Sequence, residues 1–69
     1  MDEELTRIVS QLATEGIRVD VRQPNSSKEV FVVELSDGTK YLFSGAGLLR
    51  LRDEGRLNIR GIEKSGVRK

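Results

Sequence analysis

The 69-residue chain has no cysteine, no histidine, no tryptophan and a single proline. Without Cys there is no disulfide and no thiolate nucleophile, and without Cys or His the usual structural zinc sets and His-ligated haem are excluded. The missing imidazole also removes the side chain that most often moves protons near neutral pH. Any proton chemistry would fall to carboxylates, to Lys28, Lys40 or Lys64, or to Tyr41, the one tyrosine. Aromatics are scarce: Phe31, Tyr41 and Phe43 are all there is for stacking on a base. No apolar run approaches the roughly 20 residues that cross a bilayer, so no membrane segment is expected. The chain opens on Met1-Asp2-Glu3-Glu4, acidic where a secretory leader is basic and then apolar, which leads us to expect a cytoplasmic location.

What is present is charge, sorted by position. Residues 1–38 carry eight Asp/Glu and four Lys/Arg, whereas residues 39–69 carry three and eight. The formal net charge of +1 therefore conceals a basic C-terminal half, and it is the local field that attracts a partner. The hydrophobic fraction of 36%, raised by seven glycines, falls in the ordinary globular range. A chain this short buries only about 60% of the surface it exposes when unfolded, so its stability should be modest.

Periodicity then gives the elements. Leu5, Ile8, Val9 and Leu12 lie at i, i+3, i+4 and i+7 and predict a helix over 3–14, capped by Asp2 and stopped at Gly16. Residues 17–22 alternate Ile17, Val19 and Val21 with Arg18, Asp20 and Arg22, the pattern of a half-buried strand. Pro24-Asn25-Ser26-Ser27 reads as a loop; its match to a glycosylation sequon is better explained as a turn. Residues 29–35 and 39–43 form a hairpin about Ser36-Asp37-Gly38. Of two possible registers, the three-residue loop with a left-handed Gly38 pairs Glu34 with Lys40, Val33 with Tyr41 and Phe31 with Phe43. That register puts Phe31, Val33, Leu35, Tyr41 and Phe43 on one face and leaves Val30, Val32 and Leu42 on the other. Such a strip calls for a covering helix or a partner.

From Ser44 a short helix through Ala46, Leu48, Leu49 and Leu51 to Gly55 is favoured over the strand-like alternation of Leu49-Arg50-Leu51-Arg52. Residues 57–62 read as a last strand, with Leu57 and Ile59 inward and Arg56, Asn58 and Arg60 outward. The expected architecture is a two-layer α+β fold in the order α-β-β-β-α-β. It has a mostly antiparallel sheet of three or four strands and helices packed on one face. Residues 1–63 make a small domain and 64–69 a flexible basic tail.

The candidate chemistry is thin. Asp2, Glu3 and Glu4 suit a helix's first turn, Asp37 suits a turn, and adjacent Asp53 and Glu54 do not face each other on a helix, so no catalytic residue is expected. Ser44-Gly45-Ala46-Gly47 offers backbone N–H groups to an anion but lacks the Lys-Ser/Thr of a P-loop. No metal site or cofactor is expected. The residues worth naming are basic: Arg50, Arg52, Arg56, Arg60, Lys64, Arg68 and Lys69, with Lys40 beside them. If the last strand lies beside residues 17–22, Arg18 and Arg22 join Arg56 and Arg60 on one sheet face, a surface able to neutralise several phosphates. The leading expectation is a small non-catalytic protein-interaction or adaptor module, able to self-associate through Val30, Val32 and Leu42. The alternative is a nucleic-acid-binding accessory protein that uses the basic C-terminal half.

Overall fold

A computed structural model describes residues 2–25 and 28–69. The elements run α1 (Glu3–Thr14), β1 (Arg18–Asn25), β2 (Lys28–Glu34), β3 (Lys40–Ser44), α2 (Gly45–Asp53), α3 (Ile59–Ser65) and β4 (Val67–Arg68). The strands form one antiparallel sheet in the order β1-β2-β3-β4. This is the expected α-β-β-β-α-β architecture with one additional helix before the last strand.

Local chemistry sets the ends of α1. The Asp2 carboxylate accepts from the Glu4 amide at 2.8 Å, and Glu3 and Glu4 sit at the positive end of the dipole. At the other end Ile17 N–H donates to the Leu12 carbonyl (3.0 Å) and Gly16 N–H to that of Ala13 (3.1 Å). These paired bonds need a left-handed residue between helix and strand, supplied by Gly16 at φ 78°. The same arrangement closes α2: Gly55 has φ 69°, with Arg56 N–H on the Leu51 carbonyl at 2.8 Å.

The hairpin takes the three-residue loop. Glu34 pairs with Lys40, Val33 with Tyr41 and Phe31 with Phe43, and Leu35 N–H donates to Thr39 across the turn at 2.9 Å. One sheet face is thereby committed to the core, where Phe31, Val33, Leu35, Tyr41 and Phe43 meet Leu5, Ile8 and Leu12 of α1 and Leu48 and Leu51 of α2. Ile17, Leu57 and Ile62 complete that cluster. Burying each such side chain is worth about 1.5–3 kcal/mol, enough for the stripe on α1 to hold the helix in place.

Three expectations are corrected. Residues 57–62 are not a strand. Asn58 caps α3, its Oδ1 accepting from the Gly61 amide at 2.8 Å, and the buried positions Leu57, Gly61 and Ile62 follow helical spacing, while Ile59 is 47% exposed. The last strand lies instead inside the segment read as a basic tail. Lys64 and Ser65 finish α3, Val67 and Arg68 pair with Leu42 and Tyr41, and Lys69 N–H donates to Lys40 at 3.0 Å. Gly66 makes this approach possible, since a Cβ there would lie 2.8 Å from both Phe43 and Tyr41. Finally, Pro24 and Asn25 belong to β1, with the register shifted between Arg22 and Asn25. β1 is an edge strand, where proline is tolerated. Ser26 and Ser27 of the expected loop lie outside the described residues.

Candidate interaction surfaces

Because the core cluster takes one face of the sheet, the strand positions of opposite parity form a face that none of the described helices covers. Strand register orders it into three rows. The first is Arg18, Glu34 and Lys40; the second is Asp20, Val32, Leu42 and Val67; the third is Arg22, Val30 and Ser44. An apolar middle is thus flanked by charges of both signs. Val32 is only 6% exposed although it lies outside the core cluster. Val67, at 66%, is open to solvent. Among the described residues Arg18, Asp20, Arg22, Glu34 and Lys40 form no ion pair. Leu42 and Val67 also line a groove with Leu51, Arg50, Glu54 and Arg56.

The structure divides the basic residues into three groups. On α2 the arginines are matched. Arg50 Nε meets Glu54 Oε2 at 3.3 Å. Arg52 reaches Asp53 at 2.8 Å and Glu4 of α1 at 3.0 Å, and these bonds hold its guanidinium still more firmly protonated than usual. Arg56 lies 3.6 Å from Glu54, which therefore serves two arginines. On α3, Arg60 and Lys64 line a shallow groove with Arg56, Asn58 and Gly61. At the far end of the sheet Arg68 and Lys69 lie beside Lys40, Asp37 and Thr39. None of Arg60, Lys64, Arg68 and Lys69 is ion-paired among the described residues.

The four-arginine sheet face expected from sequence does not form. β4 pairs with β3 at the opposite edge from β1, and Arg56 and Arg60 lie outside the strands, so Arg18 and Arg22 are not their neighbours. The glycine-rich first turn of α2 is capped from within: Ser44 Oγ accepts from the Gly47 amide at 3.0 Å. Gly45 packs so closely that a Cβ would lie 3.1 Å from Leu5. No group of three or more Asp/Glu is placed to hold a metal ion among the described residues, and none of their helices is long and apolar enough to cross a membrane.

Two surface features escaped the sequence reading. Val67 completes the apolar row, and an isolated valine between Gly66 and Arg68 was the available sign. Asn58 and Gly61 shape the α3 groove, and the Asn-x-x-Gly spacing was the signal of a cap. Comparison with protein-family models, curated proteins and solved structures finds no match.

Proposed function

We propose that this chain is a non-catalytic protein-interaction module that docks through the uncovered face of its sheet. The carrying observation is the apolar row Val32, Leu42 and Val67, with Val30 beside it, on the side away from the helices. An apolar strip rimmed by polar groups is the usual form of a docking surface. Five of the carboxylates support the non-catalytic part of the reading, since they are engaged in structure. Asp2 caps α1, Asp37 accepts from the Thr39 amide, and Glu4, Asp53 and Glu54 hold arginines.

The occupant this face fits is a second copy of itself. Its rim carries both signs, with Arg18, Arg22 and Lys40 against Asp20 and Glu34, so a two-fold arrangement can set each of the two carboxylates opposite a cation of the other copy. A rim of one sign would repel its own copy. Three rows, of which only the middle one crosses all four strands, cover about 300 Å² per partner, under half of a standard interface, so the pairing is weak and depends on concentration. Sedimentation over a wide concentration range tests this. The expected result is a mass rising toward the dimer, with the rise abolished by Leu42→Glu or Val67→Glu. A mass that stays monomeric throughout contradicts the self-pairing.

A further inference from the structure

We propose that the groove lined by Arg56, Asn58, Arg60, Gly61 and Lys64 binds the phosphodiester backbone of nucleic acid. This surface shares Arg56 with the groove beside Leu42 and Val67, but the inference does not depend on the self-pairing above.

The first argument is electrostatic. α3 is a short helix that places Arg60 and Lys64 four residues apart, with no ion pair to either among the described residues. Like charges at that spacing repel, and a helix of seven residues has few internal bonds to offset it. On α2, Arg50 and Arg52 stand only two residues apart and off each other's face, and Glu54, Asp53 and Glu4 meet them, so no such repulsion arises there. On α3 an external anion would remove it. The third cation of the groove, Arg56, shares its carboxylate with Arg50 and is held loosely at 3.6 Å, so it can turn to a phosphate.

The second argument concerns the class of anion. No apolar side chain lines the groove. An acidic peptide or a lipid surface would look there for something to bury, whereas a sugar-phosphate backbone requires only cations and polar donors. Asn58 adds such a donor. Its Oδ1 is committed to the Gly61 amide, which leaves the side-chain N–H groups for a ligand. The local charge agrees: residues 56–64 carry three basic residues and one acidic one, Glu63, a net positive field that attracts a polyanion.

The structure also limits what is read. Phe31, Tyr41 and Phe43 are all 8% exposed or less, so no aromatic platform is available to stack a base. Binding is therefore indifferent to sequence and dominated by counterion release.

The test is a titration of the full chain with a short DNA duplex at two salt concentrations, with NMR to locate the contact. Three neutralised phosphates predict an affinity falling about fortyfold between roughly 50 and 200 mM salt. The amides of residues 56–64 should shift. In the double variant Arg60→Gln, Lys64→Gln the same salt change should cost only about fourfold, the response of one remaining contact. Arg7→Gln on α1 should match the parent, which separates this site from general charge. Because these side chains are exposed, the variant is expected to keep the parent's NMR spectrum elsewhere. No binding at low salt, an unchanged salt response in the double variant, or binding to anionic phosphatidylserine vesicles without binding to the duplex would each overturn the inference.

Discussion

α2 and α3 are two short helices from the same basic half of the chain, and they start alike. Each begins with a side chain that accepts from the amide three residues on: Ser44 from Gly47 and Asn58 from Gly61. They differ in what surrounds their cations. α2 packs against α1, which brings Glu4 onto Arg52, and its last turn runs into Asp53 and Glu54, which take Arg52 and Arg50. On α3 the one acid, Glu63, forms an ion pair with neither Arg60 nor Lys64 among the described residues. A count of lysines and arginines ranks the two helices together. Their neighbours separate them, because a guanidinium bonded to a carboxylate contributes little field and less specificity.

Stability measurements can break that comparison at its base, which is the shared core. Leu48→Ala on α2 and Ile62→Ala on α3 remove side chains that are fully buried. Each should cost about 2–5 kcal/mol in denaturant unfolding. Ile59→Ala, on the exposed side of α3, should stay within about 0.5 kcal/mol. If Ile62→Ala were equally mild, α3 would not be docked as described. The caps come next: Ser44→Ala and Asn58→Ala should each cost about 0.5–2 kcal/mol, in similar measure if the two helix starts are equivalent.

The sharpest contrast concerns the cations. Arg52→Gln should lower the thermal midpoint, since it breaks the contacts to Glu4 and Asp53. Arg60→Gln should leave the midpoint unchanged or raise stability by about 0.2–0.5 kcal/mol, by relieving repulsion from Lys64. A loss of stability on Arg60→Gln would reveal an unrecognised partner. The hairpin supplies the smallest effect and a control outside both helices. Asp37 is held below the usual carboxylate range by the Thr39 amide at 2.9 Å and by that residue's hydroxyl. A lowered folded value means that its stabilisation is present above the ordinary carboxylate pKa and is lost as pH falls through the folded value. Asp37→Asn should therefore narrow the gap between midpoints measured at neutral and acid pH.

The contrast between the helices also marks where the sequence was legible. α1 was plain because its stripe, its Asp2 cap and its Gly16 stop all agree. The hairpin register followed from cross-strand pairing, since one choice joined opposite charges and collected every aromatic on one face. The sheet and its helix layer could be read in this way. The stretch 56–69 misled because Arg56-Leu57-Asn58-Ile59-Arg60 alternates like a strand over too few residues to distinguish a turn of helix. The capping role of Asn58 outweighs that alternation. The placement of β4 depends on a close approach of Gly66 to Phe43 and Tyr41, a long-range contact that no local pattern encodes. The strip Val30, Val32 and Leu42 was visible from parity alone, but its continuation to Val67 required knowing which strand lies beside β3.

The central claim is that the open face of the sheet is the docking surface, and a dilution series followed by NMR tests it most directly. On dilution the amides of Asp20, Val32, Leu42 and Val67 should move together, while those of the buried helix positions Leu12 and Leu48 stay fixed. The Leu42→Glu variant should show no such movement. Amides on the open face that are indifferent to concentration, or shifts that appear on the helix layer instead, would contradict the account.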